Sequence, residues 1–269
     1  MAPDEIILGS LTTLLAVTLL IAWRWDYFQP VTRIPGAPFS LIDVIFAFLF
    51  TYVASGFFAE LLVGFGYVDQ SYINFFVSFF AFICLALFTL LKGASVLRYI
   101  WHPAPDSIYS TKYSMLIGAI SVFIAMPVVE FIGALYASAS SYFFESGEWS
   151  QTAVNVMRDG MDSPLQFLSL VISVIIFAPI IEEWLFRGFI QGYLRGLIGP
   201  YWAIAITSLF FSMAHYTVQQ GIGNIDLMVR LFPLACFIGY VYERQGNLWG
   251  NVMMHMVFNF FNVLRLVVE

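Results

Sequence analysis

Apolar residues run along this chain in long stretches separated by short polar connectors. A helix that crosses a bilayer needs about 20 mostly apolar residues. Stretches near 6–23, 41–64, 73–97, 113–139, 164–186, 201–216, 227–243 and 248–267 meet or approach that length. Two runs inside them, 75–91 and 165–181, carry no charge at all. The sixth stretch is the weakest, being short and running into the polar segment 216–226. Helix breakers mark the connectors: Pro30, Pro35 and Pro38, then Pro103 and Pro105, then Gly196, Gly199 and Pro200. The pattern predicts an all-α, polytopic transmembrane bundle of about eight helices. It divides into N-terminal membrane helices over 1–140, a polar connector over 141–163 and C-terminal helices over 164–269, all within one integral-membrane domain.

Composition strengthens this reading. Apolar residues make up 61% of the chain and charged residues 10%, against roughly 45–50% and 25% in soluble domains. That balance excludes a soluble enzyme and a disordered scaffold. The net charge of −6 comes without any basic run, so nucleic acid is not an expected partner. Cys84 and Cys236 both lie in apolar stretches, where they read as small hydrophobes rather than a disulfide or a thiolate metal site. The acidic start Met1-Ala2-Pro3-Asp4-Glu5 lacks the positive region of a signal peptide, so the first apolar stretch is expected to be retained as a helix. Arg24, Arg33, Lys92, Arg98, Lys112, Arg187, Arg195 and Arg244 fall on alternate connectors, leaving Arg158, Arg230 and Arg265 for the other side. The positive-inside rule then places both termini on the non-cytoplasmic face of the cell membrane.

Ionisable side chains inside membrane stretches are costly and mark function by default. Asp43, Arg230 and Glu243 lie near segment ends, where water is within reach, while Glu60 and Glu130 lie deeper as polar contacts or cavity liners. The others form a pattern. In Glu182-Glu183-Trp184-Leu185-Phe186-Arg187, Glu183 and Arg187 share a helix face and are expected to pair. Glu182 points about 100° away and lacks that partner. Phe211 precedes His215 by four residues, and His255 precedes Asn259 by four. His102, the third histidine, sits in a proline-flanked connector.

Depth arithmetic brings these groups together. Glu182 and His215 lie roughly 15 residues on either side of the turn near 197–200, about 22 Å along each arm of an antiparallel hairpin. Asn259 lies at about 20 Å from its own connector, with His255 one turn nearer. Such a layer supports two chemistries. In one, Glu182 and His215 act as a general-base pair on a water, with His255 and Asn259 donating to the oxyanion. In the other, His215 and His255 with Glu182 or Asn259 hold a Zn²⁺. The same polar layer also suits a transporter, or a binding and scaffolding subunit without proteolytic activity. No His-Glu-x-x-His run and no Gly-x-Ser-x-Gly run is present.

Glu182-Glu183-x-x-x-Arg187, Phe211-x-x-x-His215 and His255-x-x-x-Asn259, in that order on membrane helices, resemble the three-motif signature of the CPBP (Abi) intramembrane proteases, which include the type II CAAX prenyl endopeptidases. The resemblance covers about 164–262. It implies an endopeptidase with Glu182 and His215 activating water and His255 and Asn259 forming the oxyanion hole. Glu183, Arg187 and Phe211 then have supporting roles. No cofactor is expected, with zinc on His215, His255 and Glu182 as the alternative under the older metalloprotease label. The implied partners are the lipid bilayer and a protein or peptide substrate, with prenylated tails among the substrates of such enzymes.

Overall fold

The computed structural model describes residues 3–29, 36–66, 70–102, 110–141 and 152–268, and the regular elements among them are all helical. In chain order they are α1 (Pro3–Arg24), α2 (Leu41–Phe65), α3 (Gln70–Lys92), α4 (Ala94–Trp101), α5 (Thr111–Ser140), α6 (Thr152–Asp159), α7 (Pro164–Ile198), α8 (Pro200–Met213), α9 (Gly223–Gln245) and α10 (Trp249–Val268). Among the described residues six helices, α2, α3, α5, α7, α9 and α10, are long and apolar enough to cross a membrane. Two shorter apolar helices, in α1 and α8, accompany them. The chain is a multi-pass integral membrane protein. Residues 142–151 of the expected connector lie outside the described residues, as do Pro30, Pro35, Pro103 and Pro105.

Local chemistry sets the helix ends. Ser40 and Asp43 form a reciprocal capping box at the start of α2, and Asp43 also pairs with Lys92 at the end of α3. Asp43 is therefore a cap residue. The third apolar stretch does not run through to 97: Gly93, at φ 101°, ends α3 and turns the chain into the short α4. Gly246, in the left-handed region, ends α9.

The helix of the fifth stretch extends past Arg187, in keeping with the basic end marked by Arg187 and Arg195. It does not stop near 186 but continues to Ile198 as a 35-residue helix. At 1.5 Å per residue that is about 52 Å, well beyond a hydrocarbon core of about 30 Å. The α7–α8 hairpin therefore carries a helical extension past Arg187. Tyr99 of α4 packs against Gly192 of this extension. Burial holds the Tyr99 phenol above its ordinary pKa, so it stays protonated while accepting from Arg195.

The two halves of the sequence interleave, since α5 packs against α1, α9 and α10. It passes close to α10 at Gly118, where an added Cβ would overlap the Gly250 carbonyl. One core gathers Leu85, Ile100, Leu185, Phe189, Ala235 and Tyr242 around α7. A second gathers Val122, Ala125, Leu234, Ile238 and Met254 between α5, α9 and α10. Glu243 is not near water, as its place toward the end of a stretch suggested. It is fully buried, accepts from Gln191 Nε2 at 2.8 Å and pairs with Arg195 at 3.5 Å. Arg230 ties Glu130 and Asp226 together at 3.2 and 3.1 Å, and Glu60 is exposed. Cys84 is buried and Cys236 half-buried, both as free thiols.

Candidate active site

The Glu183–Arg187 pair forms as the spacing predicts, at 3.2 Å, with both side chains fully buried. A solvated helix end at the membrane surface is thereby excluded for these two charges. Arg187 also donates from Nη2 to the Ala235 carbonyl at 3.0 Å, and its guanidinium lies 4.6 Å over the Phe211 ring. Glu183 accepts more than this ion pair. His255 Nδ1 lies 2.8 Å from Oε1, and Asn251 Nδ2 donates to Oε2 at 2.9 Å. A carboxylate without exposure thus holds a guanidinium, an imidazole and an amide drawn from α7 and α10. A buried charge in such a setting must be paired in this way to persist.

Glu182, one residue earlier, has the opposite environment. Its side chain is 22% exposed, and Oε2 is buried with no hydrogen-bond partner in the fold. His215 Nε2 lies 3.9 Å from that oxygen and His255 Nε2 lies 3.8 Å from it. The far nitrogen of each ring is already engaged. His215 Nδ1 sits 2.8 Å from the Phe211 carbonyl, which can only accept, so Nδ1 carries the proton. His255 Nδ1 faces Glu183 in the same sense. Both rings therefore turn Nε2 toward Glu182. Phe211 fixes their spacing, with ring centroids 4.7 Å from His215, 5.8 Å from His255 and 5.2 Å from Phe186. The equal depth computed for Glu182 and His215 corresponds to this contact.

Asn259 sits one helical turn beyond His255 on α10. Its Nδ2 donates to the Val174 carbonyl at 2.8 Å, which makes His255 the α10 residue that faces Glu182. The cause lies in α7. Residues Ser173–Phe177 form a wide π turn in which the Ala178 N–H bonds the Ser173 carbonyl. Pro179 has no N–H to offer, so the Val174 carbonyl is left without a helical donor, and Asn259 supplies one. A second wide turn, Trp184–Gln191, follows Glu183 directly. Wide turns of this kind recur at functional sites.

Sequence reasoning missed two contributors. Asn251 lies four residues before His255, so Asn251, His255 and Asn259 form one i, i+4, i+8 stripe, a signal present in the sequence. The other is α2, whose Phe48 packs edge-to-face on Phe186 at 5.4 Å. Nothing in the sequence marks that contact. His102 ends α4 and takes no part.

Zinc ligands at about 2.1 Å on a tetrahedral ion stand roughly 3.4 Å apart, closer than the 3.8 and 3.9 Å found here. Among the described residues no group of three His, Cys, Asp or Glu side chains is arranged to hold a metal ion. Two atoms 3.9 Å apart can, however, both lie about 2.8 Å from a shared water.

Residues 164–261 match the family model described as type II CAAX prenyl endopeptidase Rce1-like. The matched segment runs from the start of α7 into α10 and contains Glu182, Glu183, Arg187, Phe211, His215, Asn251, His255 and Asn259. The match is consistent with a CPBP-family protease. It supports an intramembrane CAAX-type endopeptidase in general terms, with a protein or peptide as substrate. No curated protein and no solved structure matches the chain.

Proposed function

We propose that this protein is a glutamic-type intramembrane endopeptidase that hydrolyses a peptide bond without a covalent intermediate or a metal. The observation that carries this reading is the Glu182 Oε2 atom, buried and without a hydrogen bond, with two imidazole Nε2 atoms within 4 Å. Ionised Glu182 and neutral His215 both present acceptors. A water between them donates one O–H to each and turns a lone pair toward the substrate carbonyl. Glu182 takes the proton as the C–O bond forms. Asn259 donates to the oxyanion, while His255, its proton on Nδ1 against Glu183, turns Nε2 toward Glu182 and accepts from that carboxyl once it is protonated. The amide of Asn259 has two hydrogens, one on the Val174 carbonyl and one for the oxyanion. The proton held by Glu182 then passes to the leaving amine.

The family match supports a prenylated C-terminal tail as substrate. The loop charges support an orientation with both termini outside the cytoplasm, in the cell membrane. The test uses the purified full chain in lipid nanodiscs and a quenched-fluorescent peptide ending in a farnesylated Cys-aliphatic-aliphatic-Met sequence. Cleavage by the wild type that is absent in Glu182→Gln is expected. Full turnover by Glu182→Gln would remove Glu182 from the mechanism.

A further inference from the structure

Three polar groups meet at Glu183, and only two of them follow from the motifs. The third, Asn251, is fully buried on α10. We propose that Asn251 is a positioning residue: its amide, fastened on Glu183 Oε2, orients the carboxylate that holds the His255 ring. The part of this that concerns turnover rests on the peptidase reading above.

The argument starts from the glutamate torsion. Rotation of a carboxylate about its last side-chain bond is broad and has no sharp preferred angle. The plane of the Glu183 carboxylate is therefore set by its hydrogen bonds. Oε1 is shared by Arg187 Nη1 at 3.2 Å and His255 Nδ1 at 2.8 Å. The two oxygens swing together about that bond, and Arg187 and His255 resist the swing at Oε1 alone. Asn251 Nδ2, 2.9 Å from Oε2, stops that swing. Neither Glu183 nor Asn251 has any exposure, so bulk water cannot take over the contact. The remaining polar atom of Asn251, Oδ1, has no partner in the fold. A buried amide with an unsatisfied oxygen is costly compared with an apolar residue of the same shape. The contact that uses its polarity here is the one to Glu183.

The consequence falls on His255. With the carboxylate held, Oε1 stays opposite Nδ1, the proton stays on Nδ1, and Nε2 faces Glu182 at 3.8 Å. When the carboxylate turns, Nδ1 loses its fixed acceptor and the ring can take the other tautomer. In that form the neutral ring already places a hydrogen on Nε2, next to Glu182.

The test uses the full chain labelled with ¹⁵N at histidine, in detergent micelles. The sequence has only three histidines, so His102 and His215 serve as internal references and loss of a signal in His255→Gln assigns the third. Asn251→Leu keeps the shape and removes the donor; Asn251→Ser removes the donor's reach with less volume, should the leucine not be accommodated. In the wild type His255 is expected in the Nδ1–H tautomer, with the Nε2–H form appearing in both variants. On the farnesylated peptide kcat should fall about 10-fold, the lower end of the loss when a group that orients a metal-ligating histidine is removed, with KM unchanged. A His255 tautomer identical to that of the wild type in a folded variant would overturn the proposal, as would a wild type already in the Nε2–H form. So would failure of both variants to fold, because Asn251 would then be a structural residue. The expected tautomer change beside a wild type inactive on the peptide would keep the positioning role and sink the peptidase reading instead.

Discussion

Adjacent glutamates in the first motif occupy opposite environments, so the same substitution should act on different properties at the two positions. Glu183→Gln removes the negative member of a pair in which both side chains have zero exposure. Breaking a buried pair from one side costs about 3–5 kcal/mol, because the remaining charge stays buried without a partner. The glutamine amide cannot restore the negative charge in any orientation, and it meets its partners only if Asn251 turns its own amide over. Its NH₂ group confronts Asn251 Nδ2 one way, and Arg187 and His255 the other way. Typical total stabilities are about 5–15 kcal/mol, so the loss is a large share. For a chain of this size each kcal/mol moves Tm by about 2–4 °C, giving an expected drop of roughly 6–20 °C. Glu182→Gln touches a side chain that is 22% exposed and whose Oε2 has no hydrogen bond. Its expected shift is within about 4 °C, corresponding to about 1 kcal/mol, while turnover is lost. Scanning fluorimetry of the three proteins in one detergent, beside the peptide assay, separates the two effects. A Glu183→Gln protein melting within 2 °C of the wild type (roughly 1 kcal/mol or less) would refute the account of a buried, charge-balanced hub.

Asn259→Ala should show two losses together: a fall of about 10²–10³ in kcat from the missing oxyanion donor, and about 1–3 kcal/mol of stability from the unpaired Val174 carbonyl. A change confined to KM would move Asn259 into the substrate groove. Gly118→Ala should destabilise the bundle by roughly 1–3 kcal/mol, read as a lowered melting temperature, because the new methyl meets the Gly250 backbone carbonyl rather than a mobile side chain. Activity should survive prolonged dialysis against a strong chelator, with well under one zinc per chain by elemental analysis. Loss of activity that stoichiometric Zn²⁺ restores would make His215 and His255 metal ligands.

The residues alone carried the membrane class, the positions of most helices and the hairpin arithmetic that levels Glu182 with His215. These depend on hydrophobic run length, on turn residues such as Gly199 and Pro200, and on the constant rise of a helix, all of them local properties of the chain. The Glu183–Arg187 pair was equally legible, being an i, i+4 contact within one helix. The continuation of α7 beyond Arg187 was signalled by the basic residues Arg187 and Arg195, but not what holds its last turns, which are Tyr99 and Glu243 from helices distant in sequence. Tertiary structure also decided which α10 residue meets Glu182. His255 and Asn259 share a face, and spacing treats them alike. The wide turn before Pro179 leaves the Val174 carbonyl for Asn259, and the close crossing at Gly118 and Gly250 sets the seat of α10. Periodicity tells which face of a helix a residue occupies. Axial shifts of a few ångströms between helices, set by packing and by displaced backbone hydrogen bonds, decide which residue on that face reaches its partner.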